Sequence, residues 1–327
     1  MNLRSLYARW RRGWLYARCL ASDVRAIVLR YHSVADPGAA SRYIDPGLSV
    51  TPERFREQIA LLQRHFELLA PGQLLARLAA GSPQRRGVMI TFDDGYRDNV
   101  EVALPILREF DAVAVFYVTS GPLQCSTWLW VSELRRLTEM LPEGPLDLPA
   151  PGPVSVRRGS RRELRRALTG WLAGLDHSER ERALDRLAAR AGLERGAGLD
   201  GSFMSPDDLR TLRRSGMIVG AHTRSHPHLD RVDAATGAAE VEGGRQDLER
   251  LLGEPVVHFA YPNPGGLGKF GPVARSAVST AGFLSGVTSR PAPLAHGCDP
   301  LLLPRIGVYS GSQEKQLFEL LERYGER

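Results

Sequence analysis

The sequence predicts an α/β fold with a mainly parallel sheet. Three observations carry that reading. Short apolar runs alternate with amphipathic helical stretches along most of the chain, the pattern of βαβ units. Two carboxylates, Asp93 and Asp94, stand where one apolar run gives out, and two imidazoles, His222 and His226, follow another. At 327 residues the chain exceeds the usual length of one domain, yet it is ordinary for one large α/β barrel.

Residues 1–25 are read as a separate N-terminal segment. Within 1–19 it is basic and aromatic, with Arg9, Trp10, Arg11, Arg12, Trp14, Tyr16 and Arg18 in close succession. It lacks the apolar core of about 7–15 residues that marks a secretory signal. One reading is a solvated helix that packs Trp10 and Trp14 on the domain. The other is peripheral contact with an anionic membrane surface through residues 1–19. A first strand is expected at 26–32. Residues 52–68 carry Phe55, Ile59, Leu62 and Phe66 at helical spacing, behind a Thr51-Pro52 helix start. A short helix at 74–78 precedes a strand that runs into Asp93-Asp94, followed by a helix at 102–110 and a strand at 113–118.

The pattern then breaks. Five prolines between 142 and 153 indicate a loop. Two Arg-rich amphipathic helices follow at 161–175 and 178–193. Residues 141–201 are therefore expected to form a helical cap inserted into a barrel domain that spans 26–327. The α/β alternation resumes at Ser205-Pro206-Asp207-Asp208, a helix N-terminus. Strands are expected at 217–221, 256–261, 283–287 and 302–308.

Composition narrows the function. Apolar residues make up 43% and charged residues 24%, the mix of a globular protein in water. No apolar run approaches the roughly 18 residues of a membrane-spanning helix, so no transmembrane span is expected. The net charge is +6, carried almost wholly by Arg, with Lys only at 269 and 315. No nucleic-acid reading module accompanies that charge, so no nucleic-acid partner is expected. Cys19, Cys125 and Cys298 form neither a CxxC pair nor a disulfide framework. The expected location is the cytoplasm, with a peripheral position at the inner membrane as the second reading.

The chemistry lies in Thr91-Phe92-Asp93-Asp94-Gly95-Tyr96 and His222-Thr223-Arg224-Ser225-His226-Pro227. Adjacent strand residues point to opposite faces, but where a strand ends the backbone turns and both carboxylates can reach one cavity. Gly95 supplies a permissive backbone for that turn. One Asp and two His suffice to hold a catalytic Zn²⁺-like ion with open positions. The other Asp is then free to act as a base toward water. The histidines are not a His-Glu-x-x-His helix, because Thr223 takes the Glu position and Pro227 disfavours helical geometry at His226. His228 is expected to be exposed.

These two motifs resemble the first two motifs of the polysaccharide deacetylases, carbohydrate esterase family 4, and Phe259-Ala260-Tyr261-Pro262-Asn263 resembles a variant of the third. The resemblance covers roughly residues 26–308. It implies a distorted (β/α) barrel of about seven strands with a helical insertion. It also implies one divalent metal ion, zinc first, with cobalt, nickel or manganese as alternatives, and hydrolysis of N- or O-acetyl groups on a glycan. By that resemblance Asp93 is the general base, and Asp94, His222 and His226 bind the metal.

The chain departs from the family at two places. Ala260 and Asn263 stand where the family usually has Arg and Tyr, so the contact that orients the base is unassigned. The Asn263 backbone N–H remains a candidate oxyanion donor. Arg305 is a candidate to replace the missing Arg or to tune His32. For the general acid there are two candidates. His32 ends the first strand in Leu29-Arg30-Tyr31-His32, similar to the Tyr-His of the biofilm poly-N-acetylglucosamine deacetylases, whose motif order is permuted. His296 lies in a literal Leu-Ala-His match within a loop-like context. Tyr96, Trp128 and Trp130 are further candidates for the substrate side. The expected partner is an N-acetylated glycan. Two rivals remain: a cyclic-imide or ureide amidohydrolase on the same scaffold, and a non-catalytic glycan-binding protein.

Overall fold

The computed structural model describes residues 26–40, 43–80, 86–124, 128–149, 154–157, 159–263, 270–292, 294 and 297–325. The basic N-terminal segment, Cys125 and His296 lie outside the described residues. Seven strands make the main sheet: β1 Ala26–Tyr31, β2 Gly87–Phe92, β3 Ala114–Val118, β4 Ile218–Ala221, β5 His258–Ala260, β6 Ser285–Val287 and β7 Ile306–Gly307. They lie side by side in the order β6-β5-β4-β3-β2-β1-β7, every pair parallel. The segment before β7 joins the two edges. Leu303 exchanges backbone hydrogen bonds with Gly286 and Thr288 beside β6, while Ile306 and Gly307 pair with Leu29 and Arg30 of β1. Pro304 lies at the changeover; without an N–H it cannot continue a ladder, and the chain switches partners there. The result is a distorted (β/α) barrel.

Strand alternation sorts the core into two layers. Val28, Met89, Val115, Tyr117, Ala260 and Val287 fill the barrel interior. Ile27, Leu29, Tyr31, Ile90, Phe92 and Phe116 face outward into a larger core with Phe55, Ile59 and Leu62. Those three lie on helix α1, Pro52–His65, which starts as expected, with Thr51 Oγ1 accepting from the Arg54 N–H. It ends three residues earlier than its periodicity suggests, because Glu67–Leu68 turns extended and pairs with β2.

The cap has its own apolar core, and that core begins at Trp130 rather than at 141. Helix α2, Trp130–Met140, contributes Trp130, Leu134 and Leu137. Helices α3, Arg161–Leu172, and α4, His177–Ala191, close over them with Leu164, Leu168, Leu184 and Leu187. The proline-rich stretch expected as loop contains a short antiparallel pair, Gly144–Leu146 with Val154–Val156. No helix among the described residues is long and apolar enough to cross a membrane.

Candidate active site

His32, Asp93, Asp94 and His222 sit just beyond strand C-terminal ends, the face on which parallel barrels collect functional groups. Asp93 and Asp94 follow β2, and His222 follows β4. The chain turns sharply at Asp94 and Gly95, with φ of 80° and 89°. A Cβ at Gly95 would lie 2.9 Å from Val118 Cγ1, so glycine is needed there on both counts. The turn aims Asp94 at the histidines: its Oδ1 lies 3.5 Å from His222 Nε2 and 3.4 Å from His226 Nε2.

All three ligand-type atoms lie within 4.8 Å of one another, and all three residues are buried. The His222 Nδ1 is 2.8 Å from the Ala260 carbonyl. A proton on Nδ1 satisfies that bond and leaves the Nε2 lone pair facing Asp94, the orientation a metal-ligating histidine needs. The loop between the histidines is strained, with Thr223 at φ 63° and His226 at φ 59°. Thr223 Oγ1 steadies it by accepting from the His226 N–H at 3.0 Å. Two imidazole nitrogens and one carboxylate oxygen, buried and convergent, fit a divalent metal ion with positions left open.

Asp93 is held differently. Arg305 grips it with a two-pronged pair, Nη1 to Oδ1 at 2.6 Å and Nη2 to Oδ2 at 2.7 Å. The guanidinium is itself fixed by the Thr288 carbonyl and Thr91 Oγ1, and it lies over the Tyr117 ring. Both partners are almost wholly buried. Ala260 is the small residue where an Arg is usual in the third motif, and the guanidinium arrives instead from the segment leading into β7.

His32 ends β1, directly across from Asp93, whose N–H donates to the Tyr31 carbonyl at 3.1 Å. Asn99 fixes the His32 backbone by donating to its carbonyl at 2.8 Å. Asn99 opens a π-helical turn, Asn99–Ala103. Pro105 explains that turn: it lacks the N–H that would continue the α-helical ladder, and the preceding Leu104 N–H reaches back to Asn99.

The remaining candidates are placed less suggestively for substrate. Tyr96 is buried against Tyr43 and Phe203, with its hydroxyl 3.1 Å from Ser132 Oγ. Trp130 is also buried, and its indole N–H donates to the His226 carbonyl at 2.9 Å, so it braces the ligand loop and offers no open face. Trp128 is half-buried beside Phe203. Asn263 is half-buried beyond β5, with Oδ1 unpartnered among the described residues. His228 is buried, not exposed, and stacks on Phe270. Sequence reasoning missed Arg30, which points toward the site from β1 and binds Ser289 and the Tyr309 hydroxyl. A charge in the middle of an apolar strand was the available signal.

Electrostatics separates the two carboxylates. Burial alone would raise Asp93, but Arg305, helped by His222 and His32, holds it below the ordinary value. Burial also works against Asp94, and the two histidines hold it well below. Burial pushes His32 down to about 4, despite the opposing pull of Asp94 and Asp93. His258, on β5, is likewise pushed to about 4 by burial.

These two histidines give a stability prediction. Between their folded value near 4 and the unfolded value near 6.5, the unfolded chain binds more protons, so stability falls as pH drops through that window. The loss approaches about 3 kcal/mol for each ring by pH 4. The carboxylates lose their contribution only below about 3.8 and do not mask it. Burial also lowers His226 and His228, which adds to the loss, so the thermal midpoint of the metal-free protein should drop by several degrees between pH 6.5 and 4.5, and His32→Asn should flatten part of that slope. A midpoint flat over this range would show that the rings protonate freely in the folded state.

Comparison with known proteins follows the same lines. A family model described as polysaccharide deacetylase matches residues 80–147 and 169–283, over half of the chain. The sequence matches none of the curated proteins. Among solved structures, the deacetylase PplD of Streptococcus pyogenes, in complex with acetate, is similar at TM-score 0.60 and 18% identity, over 91% of this chain and 99% of that one. IcaB from Ammonifex degensii is similar at TM-score 0.60 and 17% identity, over 94% and 99%. A de-N-acetylase from Aggregatibacter actinomycetemcomitans follows at TM-score 0.52 and 15% identity, over 90% and 99%. The barrel, the Asp-Asp turn and the paired histidines thus sit in the frame of a known group of enzymes, and the chain belongs to the polysaccharide deacetylase family, carbohydrate esterase family 4.

Proposed function

We propose that this protein is a metal-dependent hydrolase that removes N-acetyl groups from a polysaccharide or glycan precursor. The observation that carries this reading is the pairing at the barrel mouth of an Arg-gripped carboxylate, Asp93, with the convergent set Asp94, His222 and His226. Those three residues would hold the ion, with zinc, cobalt, nickel and manganese as the candidates to compare. A metal there would polarise the acetyl carbonyl and acidify a water. Acetate bound to PplD and the similarity to a de-N-acetylase from Aggregatibacter actinomycetemcomitans suit the same reaction.

The chain's own residues supply the proton transfers. Asp93 accepts the proton of the attacking water, and Arg305 keeps that carboxylate ionised and aimed. The Asn263 backbone N–H is the candidate donor to the developing oxyanion. As the C–N bond breaks, the leaving nitrogen needs a proton, and His32 is the residue assigned to give it. A ring titrating near 4 is neutral at pH 7, so His32 donates a proton acquired within the cycle, not one stored beforehand.

The test is acetate release from N-acetylated glycan oligomers by wild type, Asp93→Asn and His32→Ala. Asp93→Asn should lose roughly 10²–10⁴-fold in rate with metal content unchanged. His32→Ala should lose most amide hydrolysis yet much less on an activated aryl acetate ester, whose leaving group needs no proton. Equal losses on both substrates would make His32 structural. Hydrolysis of cyclic imides or ureides, with no acetate from any glycan, would replace the substrate class.

A further inference from the structure

The loop between the two histidines is gripped from both sides, and one grip comes from the cap. On the barrel side, helix α5, Ala234–Leu252, presents Glu240. Its Oε2 accepts from the Arg224 N–H at 3.0 Å and the Ser225 N–H at 2.7 Å, and its Oε1 accepts from Ser225 Oγ at 2.5 Å. The same helix packs so closely that a Cβ at Gly244 would lie 2.7 Å from the Thr223 carbonyl carbon. On the cap side, Arg180 of α4 donates from Nη2 to Ser225 Oγ at 2.5 Å and to the Ser225 carbonyl at 3.2 Å. Trp130 of α2 donates to the His226 carbonyl, and the Arg180 guanidinium lies 5.4 Å over its ring.

Arg180 is an expensive residue to place here. It is 1% exposed, and its Nε and Nη1 have no hydrogen-bond partner among the described residues. A cap helix facing only its own core would carry an apolar side chain at this position, since a buried, half-partnered cation costs stability. The return on that cost is a contact that reaches the strained ligand loop from outside the barrel.

We propose that Arg180 and Trp130 are positioning residues through which the helical insertion sets the geometry of His226, so that metal affinity depends on how the cap is seated. The loop's left-handed residues, Thr223 and His226, do not hold their conformations by intrinsic preference. The clamp between Glu240 on one side and Arg180 with Trp130 on the other supplies what holds them. Outer contacts of this kind typically change metal affinity by about 10–100-fold.

The inference rests on the reading of Asp94, His222 and His226 as metal ligands. Its test is a Co²⁺ titration of the full chain, followed by the visible absorption of the bound ion and by chelator competition. The variants are Trp130→Phe, Arg180→Met, Arg180→Lys, His226→Asn and Arg195→Met. Arg195 ties Glu133, Glu181 and Asp185 together, and these ion pairs lie within the cap, so its loss loosens the cap itself. Trp130→Phe keeps an aromatic side chain in the cap core while it removes the indole N–H along with part of the ring's volume, a milder change than truncation for a variant that must fold.

Trp130→Phe and Arg180→Met should each weaken Co²⁺ binding about 10–100-fold and alter its spectrum. Arg180→Lys should recover part of the loss, and Arg195→Met should bind as wild type does. Affinities within twofold of wild type for Trp130→Phe and Arg180→Met would overturn the proposal. So would an equal loss in Arg195→Met, which would assign the effect to general cap stability. Failure of the underlying ligand assignment would show separately, as undiminished Co²⁺ binding by His226→Asn.

Discussion

Alanine at His222, or asparagine at Asp94 or His226, is expected to leave a folded protein that holds no divalent metal and releases no acetate. Asparagine is the better choice at the two latter positions because both have positive φ, which asparagine tolerates and alanine does not. A catalytic site of this type rests on three protein ligands. Asp94 contributes one oxygen facing two Nε2 atoms at 3.4 and 3.5 Å, with no fourth His, Cys, Asp or Glu in the group among the described residues. Losing one ligand of three leaves two, too few to retain the ion through dialysis. Metal analysis of the dialysed variants is the measurement. Full occupancy in any variant removes that residue from the ligand set.

Arg305→Met should be nearly as damaging, by another route. It leaves Asp93 buried without the strongest of the charges that keep it ionised. Burial then acts against weaker opposition, the carboxyl titrates higher, and the acid limb of the rate profile moves to higher pH. At neutral pH we expect a rate loss of roughly 10²–10³-fold with metal content intact, most of what a general base supplies. Breaking a buried pair from one side should also cost about 3–5 kcal/mol of stability. Arg305→Lys keeps the charge and loses the fork, so it should recover part of the rate and less of the stability. In Asp93→Asn/Arg305→Met the two losses should be far from additive, because both remove one interaction. An unmoved acid limb in Arg305→Met would mean that the guanidinium only supports the barrel.

Much of this architecture was legible from residues. The seven expected strands are present, because apolar runs of the right length bounded by helices admit few alternatives. Ser205 and Asp208 form the capping box their spacing announced. Other features depend on contacts between distant residues and left no local trace. Arg305 could be named as a candidate for the missing Arg, but its two-pronged grip on Asp93 across the closing seam of the barrel depends on the fold and is not written in its local sequence. The aromatic content of Trp130 suggested a sugar platform, whereas its burial and its bond to the His226 carbonyl make it a brace. His228 was expected at the surface, yet it is buried and stacks on Phe270, a contact that no local pattern announces. The cap's true start at Trp130 was hidden because α2 shares its apolar face with helices that follow the proline-rich stretch.

The account turns on one claim, that acetyl hydrolysis depends on a single ion held by Asp94, His222 and His226. Stepwise addition of Zn²⁺ or Co²⁺ to metal-stripped protein, with acetate release from an N-acetylated glycan measured at each step, tests it most directly. The account predicts a rate near zero without metal that rises linearly and breaks sharply at one equivalent, with no rise in His226→Asn. Acetate release by the stripped protein, or a wild-type rate that keeps climbing past one equivalent, would contradict it.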